Sequence, residues 1–230
     1  MKYTSEENAL LVLSGGQDST TCLYWALRTF GQDCVVALTF DYGQRHRIEL
    51  DSARYIAKMA GVAHTVLPLN TFAAIGGNAL TDEMITPADG LTQSEALPNT
   101  FVPARNLIFL TLAAAFAYTH GIKHIVSGVA QTDYSGYPDC RENTLKALEL
   151  TLRLGIDAPL TLHTPLMHLS KAQTVELAGT VGANAALAYS HTCYNGVAPP
   201  CGRCAACLLR AQGFAAAGVP DPLLERFSQC

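Results

Sequence analysis

The sequence predicts an α/β fold, a doubly wound parallel sheet followed by a small C-terminal knuckle rich in cysteine. Short apolar runs alternate with helical segments as far as residue 163, which is the pattern of strand–helix–strand units. Charged residues make up only 15% of the 230 residues, as suits a sheet that is buried on both faces. Four of the eight cysteines crowd into residues 193–207, after the last predicted strand.

Five apolar segments are the predicted strands, at residues 9–13, 34–40, 63–67, 125–128 and 160–163. Helical periodicity is found from the first strand up to Gly31, over 48–60, over 104–119, up to about Gly155, and over 170–178. Ser170 and Gln173 have the spacing of a capping box at the start of the last of these helices. Residues 70–100 break the alternation with glycines and prolines and predict a long excursion over the sheet.

Length and charge limit the classes of protein that fit. We expect one main domain, residues 1–185, and a small appended one, residues 186–230. The net charge of −4 gives no overall attraction to phosphate backbones, so we expect no nucleic-acid partner. The longest apolar stretch, residues 107–118, is shorter than the roughly 20 residues that cross a bilayer. Because the N-terminus also lacks a secretory core segment, we expect a cytoplasmic protein with no membrane partner.

A glycine- and hydroxyl-rich loop, Ser14-Gly15-Gly16-Gln17-Asp18-Ser19-Thr20-Thr21, joins the first predicted strand to the first helix. Free backbone N–H groups and the helix dipole favour an anion at such a place. The loop lacks the Gly-Lys-Ser/Thr ending of loops that transfer a γ-phosphate, and it lacks the spacing of a dinucleotide fingerprint. It therefore predicts a site that grips pyrophosphate. The alternative is a tight turn that only joins a strand to a helix.

The late cysteines are Cys193, Cys201, Cys204 and Cys207, with the spacing C-x7-C-x2-C-x2-C. Thiolates at this spacing can face one ion, and four of them close a tetrahedral, structural zinc site. An iron–sulfur cluster is the main alternative, because C-x2-C-x2-C also occurs in ferredoxin-type ligation, and four unligated thiols are a third. Arg203 and Arg210 could offset the negative charge of a tetrathiolate. Cys22 and Cys34 are expected to be small core residues.

Three more polar segments are predicted to meet at one edge of the sheet. They read Phe-Asp-Tyr-Gly-Gln-Arg-His at 40–46, Val-Pro-Ala-Arg-Asn at 102–106 and Asp-Tyr-Ser-Gly-Tyr-Pro-Asp-Cys-Arg at 133–141. Open parallel sheets bind ligands at the carboxyl ends of their strands. Each segment alone could be an ordinary turn or an exposed helix start. Their convergence is what makes them candidates for the walls of a site.

The phosphate loop resembles that of the PP-loop ATP pyrophosphatases, which cleave ATP between the α and β phosphates. With the three polar segments, and with Thr-Cys-Tyr-Asn-Gly at 192–196 and Cys-Gly-Arg-Cys at 201–204, the chain resembles the 7-cyano-7-deazaguanine synthase family over about residues 11–214. The resemblance implies a Rossmann-like fold of the adenine nucleotide alpha hydrolase type. It also implies a homodimer that makes the nitrile preQ0 from 7-carboxy-7-deazaguanine, ammonia and ATP, with Mg²⁺ and one Zn²⁺ per chain, in queuosine biosynthesis.

The resemblance also implies residue roles. Asp18 and Lys171 would be catalytic, with Asp18 holding the loop or Mg²⁺ and Lys171 aimed at the phosphates. From the sequence alone, a lysine at position 171 is more often a solvated surface charge, so its role depends on the resemblance. The residues implied at the nucleotide are Leu13, Ser14, Gly15, Gly16, Gln17, Asp18, Ser19, Thr20, Thr21, Phe40, Arg105, Gly128 and Lys171. Those implied at the deazaguanine are Asp133, Tyr137 and Asp139.

Two other functions compete with this one. One is a tRNA thiolase or another PP-loop amidotransferase, such as an NAD or GMP synthetase. The chain has no cysteine at position 2 and no Gly-x-Cys-x-Gly turn for a built-in ammonia supply, and its acidity argues against a thiolase. The other is a non-enzymatic zinc-knuckle module, which would have no need for a hydroxyl-rich phosphate loop.

Overall fold

The computed structural model describes residues 7–82, 84–91, 97–131 and 137–228. In this part of the chain, five parallel strands form a sheet with the order β3-β2-β1-β4-β5. The strands are β1 (Ala9–Val12), β2 (Val35–Asp41), β3 (Ala63–Pro68), β4 (His124–Val126) and β5 (Thr161–His163). The chain builds outward from β1 on one side and then returns to its other side, so the strand order reverses between β1 and β4. The predicted doubly wound α/β fold is confirmed.

Helices follow the strands in the predicted order. They are α1 (Gln17–Phe30), α2 (Ile48–Met59), α3 (Thr71–Ile75), α4 (Arg105–His120), α5 (Glu142–Ile156), α6 (Lys171–Val181), α7 (Asn184–Leu187), α8 (Ala205–Ala216) and α9 (Pro222–Ser228). The capping box of α6 is present, since the Ser170 hydroxyl accepts from the Gln173 N–H and the Gln173 side chain accepts from the Ser170 N–H. The sequence analysis did not predict α3, α7, α8 or α9. Of these, α3 and α7 are too short to show periodicity.

Each face of the sheet carries a separate core. Successive residues of a strand point to opposite faces, and β1 shows this clearly. Leu10 packs with residues of α4 and α5 on one face, and Leu11 packs with residues of α1 and α2 on the other. Cys22 is fully buried in the second core, as predicted, whereas Cys34 is half-buried in a 3-10 turn before β2, because the strand begins one residue later than predicted.

The C-terminal part packs closely on the main body. Helix α8 lies against α6, and a Cβ atom added at Gly213 would sit 3.0 Å from the Lys171 Cβ, so a glycine is needed at this crossing. Val175, Leu187 and Phe214 share a small core there. The division at residue 185 stays a prediction. No helix in the described ranges is long and apolar enough to span a membrane.

Candidate nucleotide site and metal centre

The phosphate loop lies between the end of β1 and the start of α1. Gly15 has φ +90°, and a Cβ atom there would come within 2.3 Å of the Glu49 carbonyl oxygen in α2, so only glycine fits. The Ser14 and Ser19 hydroxyl oxygens are 3.0 Å apart, and the Ser14 hydroxyl also accepts from the Gly16 N–H at 3.2 Å. The loop therefore folds around its own hydroxyl groups at the N-terminus of α1.

The two threonines of the loop face inward. Both are fully buried; the Thr20 hydroxyl donates to the Gly16 carbonyl at 2.8 Å, and the Thr21 hydroxyl donates to the Gln17 carbonyl at 3.0 Å. Burial and internal hydrogen bonds give these two side chains a supporting role in this geometry. Their contact with a nucleotide stays a prediction.

A cavity of about 520 Å³ opens beside the loop, over the carboxyl ends of β1, β2 and β4. Its volume is in the range of small-molecule sites. The predicted nucleotide residues that line it are Leu13, Ser14, Gly16, Gln17, Asp18, Ser19, Phe40, Arg105, Gly128 and Lys171. Gly15, Thr20 and Thr21 stand behind this surface. Of the predicted base-binding residues, Tyr137 lines the cavity, Asp139 does not, and Asp133 lies outside the described residues.

An ion pair closes the phosphate end of the cavity. The Lys171 Nζ atom, at the start of α6, is 2.7 Å from the Asp18 Oδ2 atom in the first turn of α1. The Asp18 Oδ1 atom and the Gln17 Nε2 atom are buried and have no hydrogen-bond partner among the residues that the structure describes. A buried polar atom without a partner is costly. The loop therefore presents one acceptor and one donor that a bound ligand or cation could satisfy.

Aromatic side chains and an arginine form the wall opposite. Phe40 stacks on Phe109 of α4 with ring centroids 4.5 Å apart. The Arg105 guanidinium donates to the Tyr42 hydroxyl at 3.3 Å, and its central carbon is 5.8 Å from the centre of the Tyr42 ring. Burial raises the pKa of Tyr42 to about 12, so the phenol stays neutral at physiological pH. The Tyr137 hydroxyl is 2.9 Å from the Thr100 hydroxyl.

Asp139 has a structural contact. Its side chain is buried, and its Oδ2 atom accepts from the Asn106 backbone N–H at 3.0 Å, in the first turn of α4. Ala104, the N-cap residue of that helix, has φ +59°, and its own side chain makes no capping hydrogen bond. Asp139 therefore caps α4 from a distant segment. A direct contact of Asp139 with a substrate stays a prediction.

The four late cysteines meet at one point. The sulfur atoms of Cys193, Cys201, Cys204 and Cys207 all lie within 4.8 Å of one another. Backbone N–H groups of Cys201 and Cys204 donate to the sulfurs of Cys193 and Cys201, each at 3.4 Å. Hydrogen bonds from Cys204 and Cys207 lower the pKa of the Cys193 thiol. Four converging sulfurs with donors aimed at them can hold one soft divalent ion, and this donor set fits zinc.

The two arginines predicted near this cluster have other partners. Arg210 is buried and forms two hydrogen bonds to the Asp221 carboxylate, at 2.6 and 2.8 Å. The exposed Arg203 lies 3.4 Å from a carboxylate oxygen of Asp89. Asp221 neutralises Arg210, so this arginine does not take the charge-offsetting role at the thiolates that the sequence suggested. No sequence motif indicated that pair.

The knuckle touches the phosphate loop. The His191 N–H donates to the Gly15 carbonyl at 2.9 Å, and a Cβ atom added at Gly16 would lie 3.2 Å from the Thr192 methyl group. Thr192 and Tyr194 also line the cavity. The cysteine cluster therefore holds a segment that forms part of the cavity wall.

A second polar pair in the cavity wall was not predicted from the sequence. The His46 Nε2 atom is 2.9 Å from the Glu49 carboxylate, and both residues line the cavity. His46 belongs to the segment 40–46 that was singled out, but only Phe40 was given a role there. The spacing of three residues at the start of a helix was the available signal.

These features define an α/β protein with a glycine- and hydroxyl-rich loop at the carboxyl edge of a parallel sheet and a cluster of four thiols that can hold one metal ion. The family model of the queuosine biosynthesis protein QueC matches residues 8–218, and the chain belongs to this family.

Three curated relatives carry the name 7-cyano-7-deazaguanine synthase. The chain is 73% identical to the one from Chromobacterium violaceum, covering 98% of this chain and 97% of that protein. The one from Laribacter hongkongensis is 68% identical, with 96% of each chain covered. The one from an Acidovorax species is 48% identical, covering 93% of this chain and 95% of that protein.

Solved structures give more distant similarities. An NH3-dependent NAD synthetase from Campylobacter jejuni has a TM-score of 0.47 and 16% identity over 78% of this chain and 66% of that chain. A protein from Methanocaldococcus jannaschii, described as a predicted subunit of tRNA methyltransferase, has a TM-score of 0.48 and 17% identity over 75% of this chain and 74% of that chain.

Proposed function

We propose that this protein is an ATP-dependent carbon–nitrogen ligase that converts 7-carboxy-7-deazaguanine and ammonia to 7-cyano-7-deazaguanine for queuosine biosynthesis. Family membership and the names of relatives that match over nearly the whole chain support the proposal. The structural observation that carries it is one cavity of about 520 Å³ with a phosphate loop at one end and an arginine among aromatic rings at the other. Such a cavity suits a nucleotide beside a planar anionic base.

The chemistry explains why ATP is needed twice. A carboxylate oxygen is a very poor leaving group, so it first attacks the α-phosphorus of ATP, and pyrophosphate leaves. Ammonia then attacks the carbonyl carbon, loses a proton and expels AMP, which gives the amide. The amide oxygen attacks a second ATP in the same way, and loss of two N–H protons and of AMP leaves the nitrile. Both activations occur at one carbon atom.

The loop and the ion pair supply what adenylation requires. Ser14, Ser19 and the backbone N–H groups at the start of α1 would hold the pyrophosphate part of ATP. Lys171 would stabilise the negative charge that grows on the α-phosphate and on the leaving pyrophosphate. Asp18 orients this ammonium group through its Oδ2 atom. Its unpartnered Oδ1 atom could hold the Mg²⁺ ion, which would neutralise the phosphate charge.

The remaining predicted roles extend this proposal. Phe40, Gly128 and the backbone of Leu13 would seat the nucleotide, and Tyr137 would contact the base together with Asp133. Gly128 packs tightly on the first turn of α1, since a Cβ atom there would sit 3.0 Å from the Ser19 nitrogen. The four cysteines would hold a zinc ion with no open position for water, so this ion would be structural. The homodimer that the resemblance implies and the cytoplasmic location that the sequence predicts both stay predictions.

Product analysis tests the function directly. Purified protein is incubated with 7-carboxy-7-deazaguanine, ammonium and Mg-ATP, and the base and the nucleotide are followed by mass spectrometry. We expect the nitrile and two AMP per nitrile formed. Without ammonium, AMP formation should be limited to a single turnover at most. Folded, metal-replete protein that consumes neither base nor ATP would rule the proposal out.

A further inference from the structure

Arg105 presents an unneutralised positive charge to the cavity. Within the ranges that the structure describes, its hydrogen-bond partner is the Tyr42 hydroxyl, and no carboxylate lies in ion-pair contact with it. Tyr42 is neutral, since burial raises its pKa. A guanidinium group that donates to a neutral phenol keeps its charge and most of its five N–H donors for a ligand.

An acidic side chain in the described part of the chain that acts electrostatically on Arg105 has another partner. Asp139 contributes to the electrostatic surroundings of Arg105. Its Oδ2 atom, however, accepts from the Asn106 N–H, and its Oδ1 atom is 3.8 Å from the Cys140 sulfur. Asp139 therefore fixes the first turn of α4, the turn that carries Arg105, and does not form an ion pair with the guanidinium.

Arg105 and Lys171 approach the cavity from opposite faces of the sheet. Arg105 begins α4, which packs on the core that contains Leu10, whereas Lys171 begins α6, whose Leu177 packs on the core that contains Leu11. The phosphate loop already supplies hydroxyls, backbone N–H groups and Lys171 for the phosphates. Arg105 is thus on the side of the cavity away from the face that supplies these groups.

The proposed reaction brings two anions together, a triphosphate and a carboxylate. Adenine carries no negative charge for a guanidinium to pair with, whereas a carboxylate accepts two parallel N–H···O bonds from arginine. We propose that Arg105 binds the 7-carboxylate of the base substrate, and that it selects the acid over the neutral amide formed midway. This assignment replaces the nucleotide contact implied by the resemblance, and it rests on the proposed function.

A comparison of the acid and the amide as substrates shows whether Arg105 binds the carboxylate or the nucleotide. In the first arm, wild type and Arg105→Gln are given 7-carboxy-7-deazaguanine, ammonium and Mg-ATP; in the second, both are given the 7-carboxamide and Mg-ATP. We expect kcat/KM for the acid to fall about 100-fold or more in the variant, because charged hydrogen bonds to a desolvated anion are lost. We expect kcat/KM for the amide and the KM for ATP to change less than about threefold, since neither involves the carboxylate.

Two controls complete the experiment. Arg47→Gln removes an exposed arginine that pairs with Asp41 at the same sheet edge. It should change kcat/KM for neither the acid nor the amide. Arg105→Lys keeps the charge but loses the planar fork, so it should recover part of the acid reaction. If Arg105→Gln does not fold, Arg105→Lys takes its place in the test, because a selective loss of the acid reaction is still expected from the lysine variant.

Each outcome decides one question. Equal losses for acid and amide, or a large rise in the KM for ATP, would show that Arg105 serves the nucleotide or the fold, and the inference would be wrong. If wild type converts neither the acid nor the amide, the proposed function fails instead. Equilibrium binding of the acid to folded wild type and Arg105→Lys, without ATP, gives a second readout, and equal affinities would also overturn the inference.

Discussion

The Lys171 ammonium group lies 2.7 Å from the Asp18 carboxylate, which joins the first turns of α6 and α1 across the phosphate end of the cavity. The two residues are 153 positions apart in the chain. Their pairing depends on the packing of α1 against α6, and on Gly213, which lets α8 approach the backbone of Lys171 closely. An ammonium group held in this way is oriented before the substrate arrives.

Replacement of Lys171 by methionine should therefore remove catalysis without unfolding the protein. We expect the rate of ATP-dependent AMP formation to fall by about 100- to 1,000-fold, as when one preorganised donor to a transition state is removed. Stopped assays for AMP and pyrophosphate measure this, and the thermal midpoint is the control for folding. A variant with wild-type rates would show that Lys171 is a surface charge.

The phosphate loop and the cysteine cluster could be predicted because the residues that define each lie close together in the sequence. The curled loop and the converging sulfurs follow from local spacing. The cap that Asp139 places on α4 and the pair between Arg210 and Asp221 could not be predicted, because each joins segments that only tertiary packing brings together. The substrate contact that the resemblance implies for Asp139 stays a prediction, and the cap is a second role that the sequence does not show.

Substitutions of Asp139 test whether this residue stabilises the fold as a helix cap or contacts the substrate. Asp139→Ala should lower the free energy of unfolding by about 1–2 kcal/mol, because the first turn of α4 loses its cap. Asp139→Asn keeps an acceptor for the Asn106 N–H and should recover most of that stability. Urea unfolding of both variants measures the difference. If Asp139→Ala is as stable as wild type while its KM for the base rises, Asp139 contacts the substrate and is not needed as a cap.

Loss of the metal should affect the phosphate loop as well as the knuckle. Cys201→Ser leaves three sulfurs, and we expect the zinc content to fall well below one per chain. The thermal midpoint should drop by about 5–10 °C, since a protein of this size loses about 2–4 °C per kcal/mol. ATP affinity should also fall, because the segment of His191 and Thr192 that contacts Gly15 and Gly16 is no longer held.

Cys34→Ser is the matched control for that variant, since Cys34 is half-buried and lies outside the cluster. It should keep full metal content and ATP affinity. Metal analysis, calorimetry and nucleotide titration give three independent readouts. Iron and acid-labile sulfide in the wild-type protein would favour the cluster alternative over zinc.

Two glycine-to-alanine substitutions should have opposite effects on the free energy of unfolding. Gly15→Ala places a Cβ atom within 2.3 Å of the Glu49 carbonyl at a positive φ, so it should cost about 2 kcal/mol or more and displace the loop. Gly155→Ala adds a methyl group in open space within α5 and should stabilise the protein by about 0.5 kcal/mol. Urea unfolding measures both, and a stable, active Gly15→Ala variant would contradict the loop geometry described above.

The buried pair of Arg210 and Asp221 should show the asymmetry of ion pairs in a protein core. Arg210 also donates to the Ser190 hydroxyl at 2.8 Å and to the Leu187 carbonyl at 3.2 Å, so it ties α8 to the segments on either side of the knuckle. Asp221→Asn leaves the guanidinium without a counter-charge and should cost about 3–5 kcal/mol. The double variant Arg210→Met with Asp221→Leu removes both charges and should cost less than the single variants added together. Unfolding free energies that simply add would show that the two side chains are not coupled.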